Sequence, residues 1–313
     1  MPSSYDLSVR SLNLLRIAIE TRSVTATAER LHVSQPTVSK AIQLAEQRLG
    51  FPLFNRERGR LVPTVDARVL LPQIARALAA VESVKRLAED LQGLKTGLIT
   101  LAATPVLANT LAASAIGRFS TRWAGVQVAI QTMVNNEVVQ AVADHSVELG
   151  LVLTPVEDGY TLARDICTAG LQCVMPHSHV LARCLEIAPR DLAPFPLISF
   201  SRHEPIGALI EDAFRSAGIR RRIAVEVNQS STACALVEAG AGVTILDGFT
   251  ALSGFPRGLV ARPFQPAARI TGRLLLPADR PPSRHSEAFV QTLASVVSDE
   301  IAGGRIKPCL ADG

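Results

Sequence analysis

Apolar and polar positions along residues 23–49 alternate as two short helical stripes joined by a tight turn. In the run Ser23-Val24-Thr25-Ala26-Thr27-Ala28-Glu29-Arg30-Leu31-His32-Val33-Ser34-Gln35-Pro36-Thr37-Val38-Ser39-Lys40-Ala41-Ile42, Ala28 and Leu31 face inward from the first helix. Val38 and Ile42, spaced i to i+4, do so from the second. Ser34 stands where an N-cap belongs, and Pro36 falls in the first turn, where a missing N–H costs little. The other face of the second helix carries Gln35, Thr37, Ser39 and Lys40. A helix that reads base edges in the major groove and touches phosphates needs that mixture of hydrogen-bonding side chains and a cation. The pattern predicts a helix-turn-helix. A surface αα-hairpin with solvated polar residues is the bland alternative.

Leu49-Gly50 ends the second helix with glycine in the C′ position. In the stretch that follows, Leu53, Phe54, Leu61 and Val62 can anchor a small hairpin, with Arg56, Arg58 and Arg60 around a glycine turn at its tip. That predicts a wing, a β-ribbon presenting cations to the nucleic-acid backbone; an ordinary solvated charge cluster is the alternative. The candidate DNA-contacting residues are therefore Ser34, Gln35, Pro36, Thr37, Ser39, Lys40, Arg56, Arg58 and Arg60.

From Thr64 to Gly93 the apolar positions Ile74, Ala77, Leu78, Val81, Val84, Leu87, Ala88 and Leu91 repeat at helical spacing, with Pro72 near the start. A helix of about 30 residues is roughly 45 Å long, too long for a compact core element. Its single apolar stripe predicts an antiparallel partner helix, against the alternative of packing back on its own domain. Beyond Lys95-Thr96-Gly97 the period changes. Strands are predicted at Leu98–Ala102, Val126–Met133 and Leu149–Val152, with helices through Arg122 and from Glu137 between them. A second set follows at Gly170–Met175, Leu197–Phe200, Ile223–Val227, Val243–Leu246 and Leu259–Pro263. Thr271–Leu276 and a helix from Ser286 to Ile301 return to the first set. Alternating strands and helices indicate parallel βα units, and two such lobes joined by crossovers make a hinge and a cleft, as in periplasmic binding proteins. The expected division is 1–64 for the winged domain, 65–96 for the linker helix, 97–168 plus 270–302 for one lobe, 169–269 for the other, and a frayed tail over 303–313.

Ligands of open α/β sheets gather at the carboxyl ends of strands, beside helix N-termini. Four loops qualify: Thr104-Pro105; Asn135-Asn136, capping a helix from Glu137; Ser199, Ser201, Arg202 and His203; and Ser230-Ser231-Thr232. Each taken alone is more often just a cap, but four at matching positions in facing lobes favour a cleft for an anionic or carboxylate ligand. Asp247, at a further strand end, offers a carboxylate to a cationic group or else caps a turn. The candidate ligand residues are Thr104, Pro105, Asn135, Asn136, Ser199, Ser201, Arg202, Ser231, Thr232 and Asp247.

Charge sharpens this picture. The first 64 residues hold nine Lys/Arg against five acids, an excess of +4 that equals the net charge of the whole 313-residue chain. The basic excess thus lies where the nucleic-acid motif lies. With 48% hydrophobic residues and a mean hydropathy of +0.24, the chain can bury sizeable cores in two or three domains. No apolar run approaches the roughly 18–20 residues that span a bilayer. The stretch Met1-Pro2-Ser3-Ser4-Tyr5-Asp6 does not read as a signal peptide, which predicts a cytoplasmic protein. Five cysteines without a C-x-x-C pair read as free thiols. His177 and His179 are a conceivable metal pair, less well supported than a structural turn; no metal and no cofactor are expected. An enzyme on the two lobes is disfavoured, because no Gly-rich phosphate loop, G-x-S-x-G or metal-ligand spacing is found. A transport solute-binding protein is disfavoured by the winged motif.

The block TATAERLHVSQPTVSKAIQLAEQRLGFPLFNRERGRLVPT resembles the N-terminal signature of LysR-type transcriptional regulators, through Ala28-Glu29-Arg30-Leu31, Ser34-Gln35-Pro36, Ser39-Lys40, Glu46, Leu49-Gly50, Leu53-Phe54, Arg56 and Leu61 to Thr64. The resemblance extends over nearly the whole chain. It implies an α/β protein with an N-terminal winged helix-turn-helix, a long linker helix and a two-lobed effector domain. It further implies a cytoplasmic regulator that binds double-stranded promoter DNA as a homotetramer, a dimer of dimers. Such a protein senses a small molecule between its lobes and has RNA polymerase as a further partner. The stretch from Val225 to Asp247, containing SSTACALVEAGAGVTILD, resembles the branch that senses opines and arginine-type amino acids. A ligand with a carboxylate and an ammonium or guanidinium group would suit Ser231, Thr232 and Asp247. Glu148 stands where many relatives carry Asp, a mild departure.

Overall fold

Helix α1 (Val9–Thr21) precedes the segment where the sequence pattern begins, and its Ser8 N-cap accepts from the Ser11 N–H at 3.2 Å. It is the first element of a computed structural model that describes residues 7–57, 60–91, 97–154, 161–279 and 281–309, with the side chains of 56, 57, 82, 83 and 85–91 excepted. Helices α2 (Val24–Leu31) and α3 (Gln35–Leu49) follow, and α3 ends at Gly50 with φ +80°, a conformation that favours glycine. Strands β1 (Phe54–Glu57) and β2 (Arg60–Pro63) pair antiparallel, Phe54 opposite Pro63 and Glu57 opposite Arg60. Leu14, Leu15, Ala18 and Ile19 of α1 pack with Ala28, Val38, Ile42, Ala45, Leu53, Phe54 and Leu61 in one buried cluster.

Helix α4 (Val65–Leu91) departs from the expectation in part. Ala67 and Ile74 are buried in that same cluster, and Leu70, Leu71 and Leu78 pack against it. The first four turns therefore pack back on their own domain. At 3.6 residues per turn, 67, 71, 74 and 78 share one face. Val65, Val69 and Val84 point away from it and stay 72%, 69% and 68% exposed. The expected helix end at Gly93 and the Lys95-Thr96 junction lie outside the described residues.

The chain divides into two compact units, Met1–Leu94 with Asp144–Ser146 and Lys95–Ala143 with Val147–Gly313. The second begins with β3 (Gly97–Ala103), a helix that runs as α5 (Pro105–Leu107), a π turn (Ala108–Ala112) and α6 (Ala113–Arg122), then β4 (Val126–Thr132), α7 (Asn135–Ala143) and β5 (Leu149–Leu153). Strand β6 (Thr161–Pro176), a 3-10 turn (Val180–Arg183), α8 (Pro189–Leu192), β7 (Leu197–Phe200), α9 (Pro205–Ser216) and β8 (Ile223–Val227) come next. Helix α10 (Ser230–Glu238), β9 (Val243–Asp247), a 3-10 turn (Thr250–Ser253), β10 (Leu259–Pro263), β11 (Arg269–Pro277) and α11 (Arg284–Ala302) complete it.

The strands run in the order β4-β3-β5-β11-β6-β9-β7-β8, with β10 also on β6. The β3–β4, β3–β5, β7–β8 and β7–β9 pairs are parallel, as the alternating pattern predicts. The sheet is mixed, however: β6, β10 and β11 pair antiparallel with their neighbours. Strand β6 is also far longer than the Gly170–Met175 segment of the sequence reading. Its first part, carrying exposed Ala163, Arg164 and Asp165, lacks the apolar run that marks a buried strand. Up to Gly170 it pairs with β11; from Leu171 onward it pairs with β9 and β10. It therefore passes from one lobe into the other. The tail does not fray over 305–309: Thr168 and Lys307 exchange two backbone hydrogen bonds of 2.8 Å, and Ile306 is buried in the core. Among the described residues no helix is long and apolar enough to cross a membrane.

Candidate functional site

The first candidate surface is the start of α3. Ser34 caps it: the Ser34 hydroxyl accepts from the Thr37 N–H at 3.4 Å and lies 2.8 Å from Thr37 Oγ1. These two hydroxyls thus satisfy each other and the helix end. Gln35, Pro36, Thr37 and Lys40 are exposed and Ser39 is half-buried, while Val38 is fully buried. The exposed face continues through Gln43 and Gln47, polar positions the sequence analysis did not single out although their spacing, i+3 from Lys40 to Gln43 and i+4 from Gln43 to Gln47, carries the signal. The wing is tied in by Glu46, whose Oε1 accepts from the N–H groups of Leu53 (2.8 Å) and Phe54 (3.1 Å), and by the Leu61 N–H on the Arg22 carbonyl (3.0 Å). Arg60 is exposed on β2. Arg56 lies on β1 without a described side chain, and Arg58 lies outside the described residues.

The second candidate is a cleft between the two lobes of the second unit. Its narrow centre, about 90 Å³, is lined by Thr104, Pro105, Val106, Val134, Asn135 and Leu153 from one lobe. Phe200, Glu204, Pro205, Ile206, Asn228, Gln229, Ser230 and Asp247 line it from the other. It opens at one end to a space of about 230 Å³ bordered by Asn109, Thr110, Ser231 and Ser253, and at the other to about 280 Å³ bordered by Asn136 and His203. Four helices begin at this centre: the one starting at Pro105, α7 at Asn135, α9 at Pro205 and α10 at Ser230. Thr104, Glu204 and Gln229, the N-caps of three of them, make no side-chain cap hydrogen bond, so first-turn N–H groups stay open. Thr104 Oγ1 is buried and has no hydrogen-bond partner. No Lys or Arg lines the centre among the described residues, but two carboxylates do, Glu204 and Asp247. Asp247 is 2% exposed, and burial pushes its carboxyl above the usual range, opposed by hydrogen bonds from Thr250. The Thr250 N–H donates to its Oδ1 at 3.0 Å, so it caps the following turn as well as facing the cleft.

Several candidate residues serve structure. Asn135 is the first residue of α7 rather than a cap before Glu137; its Oδ1 accepts from Leu153 N at 3.0 Å and its Nδ2 donates to Leu153 O, clamping the end of β5. Ser199 lies inside β7, fully buried, and its hydroxyl accepts from Arg221 at 3.1 Å. Ser201 accepts from the His203 N–H at 3.5 Å within its own turn, and Arg202 is exposed and outside the cleft centre. Ser231 and Thr232 are exposed in the first turn of α10, and it is Ser230 that reaches the centre. The register of a helix start sets this, and one residue along the chain turns a side chain by about 100°. Glu204 was also missed, though Pro205 behind it is a helix-start signal. His179 caps a 3-10 turn through Nδ1 (3.3 Å from Leu181 N) and packs edge-on to Phe195, and desolvation lowers its pKa. Its partner in the conceivable pair, His177, is exposed. Cys167, Cys173, Cys184 and Cys234 are free thiols, and burial pushes the Cys167 and Cys173 thiols up to about 12.

Residues 9–68 match the model of the bacterial regulatory helix-turn-helix protein, lysR family, and residues 92–298 that of the LysR substrate binding domain. The chain belongs to the LysR family of transcriptional regulators. Among relatives of this regulator, the transcriptional activator protein LysR of Escherichia coli (strain K12) is 29% identical over 283 residues, covering 90% of this chain and 91% of that protein. The octopine catabolism/uptake operon regulatory protein OccR of Rhizobium meliloti is 28% identical over 259 residues, covering 82% and 85%. In fold, the regulator matches the crystal structure of full-length CbnR complexed with its target DNA, with a TM-score of 0.71, 20% identity and coverage of 92% and 99%.

Proposed function

We propose that this regulator binds promoter DNA through the start of α3 and the wing, as a dimer of dimers in the cytoplasm. We propose further that its inter-lobe cleft senses a zwitterionic amino-acid derivative; it acts by binding, not catalysis. One observation carries the ligand class. The cleft centre combines open helix N-termini and an unpartnered buried hydroxyl with two carboxylates, and among the described residues it has no cationic side chain. Helix N-termini and Thr104 favour a carboxylate, while Asp247 and Glu204 favour an ammonium or guanidinium. A simple anion finds two like charges there, so a zwitterion fits better. The name of OccR, a regulator of octopine catabolism and uptake, supports the same class. On the DNA side, the basic excess of the first 64 residues and the exposed Gln35 and Lys40 support the reading.

The test is calorimetry with L-arginine, octopine and benzoate, beside DNA-shift titration. L-arginine or octopine is expected to bind, and Thr104→Val to weaken it by about 1.5–3 kcal/mol, roughly ten- to a hundredfold. DNA affinity without ligand should not change. Binding of benzoate with no response to either amino acid would overturn the ligand class.

A further inference from the structure

Arg221 is a buried cation that the cleft does not touch. Its side chain is 5% exposed, between the end of α9 and the start of β8. Nη1 donates to Ser199 Oγ at 3.1 Å, to the Phe200 carbonyl at 3.3 Å and to the Gly207 carbonyl at 3.5 Å. Nε lies 2.8 Å from Glu211 Oε2, close enough for an ion pair but not aligned as a hydrogen bond. A guanidinium stays charged at all working pH values, so a buried one must be held by several acceptors. These acceptors come from the end of β7 and from two turns of α9. Between them runs the 201–204 turn, which delivers Phe200, Glu204 and Pro205 to the cleft centre. The turn and the helix already touch at Gly207, where an added Cβ would sit 1.9 Å from the Ser201 carbonyl oxygen.

We infer that Arg221 is the positioning residue of the second lobe's lip. It draws the end of β7 onto α9 and so aims the α9 N-terminus and Glu204 into the cleft. The effect on effector affinity rests on the cleft reading above; the effect on the lip does not. Arg is specifically required, because its planar fork reaches acceptors in different directions, whereas Lys offers one point charge.

Hydrogen exchange on the ligand-free full-length protein tests the lip. Arg221→Met should speed exchange in peptides covering 200–208 by about tenfold, with peptides covering 243–247 and α11 unchanged, because local opening need not involve the whole lobe. Arg221→Lys should be intermediate. Unchanged exchange at 200–208, or an equal rise over 243–247, overturns the inference and makes Arg221 a general core staple. If Arg221→Met does not fold, Arg221→Lys decides on the same two criteria. Calorimetry with L-arginine adds a second readout: affinity should fall about tenfold in Arg221→Met while DNA affinity holds, and an unchanged affinity counts against the inference. If L-arginine fails to bind the wild type as well, the ligand class falls, and the exchange measurement still decides the role of Arg221.

Discussion

Asp247→Asn separates the two roles that Asp247 holds in the structure. Asparagine keeps an oxygen that can accept from the Thr250 N–H, now made at 3.0 Å, so the cap survives. What disappears is the charge. A buried carboxylate facing a ligand ammonium or guanidinium is one half of a desolvated pair, and breaking such a pair costs about 2–5 kcal/mol. Asparagine retains a dipole, which places the expected loss near the low end, about 2–3 kcal/mol or roughly 30- to 150-fold in affinity. The ligand-free protein should respond in the opposite sense. Burial raises the Asp247 pKa above its unfolded value. Below the unfolded value, about 3.9, both states are protonated and the residue costs nothing. As pH rises past that value the unfolded chain loses its proton first, so stability falls until the folded group ionises too. Asp247→Asn should remove this decline and leave the ligand-free protein as stable as wild type or more so at neutral pH. Affinity of the wild type for a cationic ligand should rise with pH through the raised value, because only the ionised form attracts it. Thermal unfolding across pH, paired with calorimetry against L-arginine, reads both. If the variant binds L-arginine like wild type, Asp247 is only a cap. If it binds normally and also unfolds earlier, the reasoning about its charge fails on both counts.

Lys40→Ala should weaken DNA binding equally on all sequences and reduce the salt slope by about one unit per subunit contact, whereas Gln35→Ala should alter the base preference; an unchanged slope or an unchanged binding-site profile removes the respective role. Val69→Asp, at a position 69% exposed on α4, should leave unfolding within about 0.5 kcal/mol of wild type but break self-association in light scattering, and an intact oligomer would show that this face is not an interface. Leu78→Asp should instead destabilise the winged domain itself, because Leu78 packs against its core. Glu46→Ala leaves the Leu53 and Phe54 N–H groups without their acceptor and should cost about 1–3 kcal/mol in urea unfolding, with Glu46→Gln losing less; equal midpoints for all three proteins would refute the tie.

Much of this regulator is written in local pattern. The helix-turn-helix is legible because its signals are short-range: Ser34 capping, Pro36 in the first turn, Val38 and Ile42 one turn apart, Gly50 in a left-handed conformation at the end. The parallel strands are equally legible, since a strand buried on both faces, such as Leu149–Leu153, must be apolar throughout. Contacts between distant segments decided the rest. The first half of β6 carries no apolar run, and it is a strand because β11 supplies its hydrogen bonds from about a hundred residues away. The stripe of α4 reads as one face from sequence, yet packing splits it, with Ile74 and Leu78 on the domain core and Ala77 and Val84 exposed. In the cleft, the sequence named the loops, and the register of each helix start, or of strand β7 for Ser199, chose the side chain. Thus Ser230 rather than Ser231 reaches the centre, Ser199 faces Arg221, and Asn135 clamps Leu153. A one-residue change in where a helix begins turns a side chain by about 100°, which local propensity does not resolve and tertiary packing does.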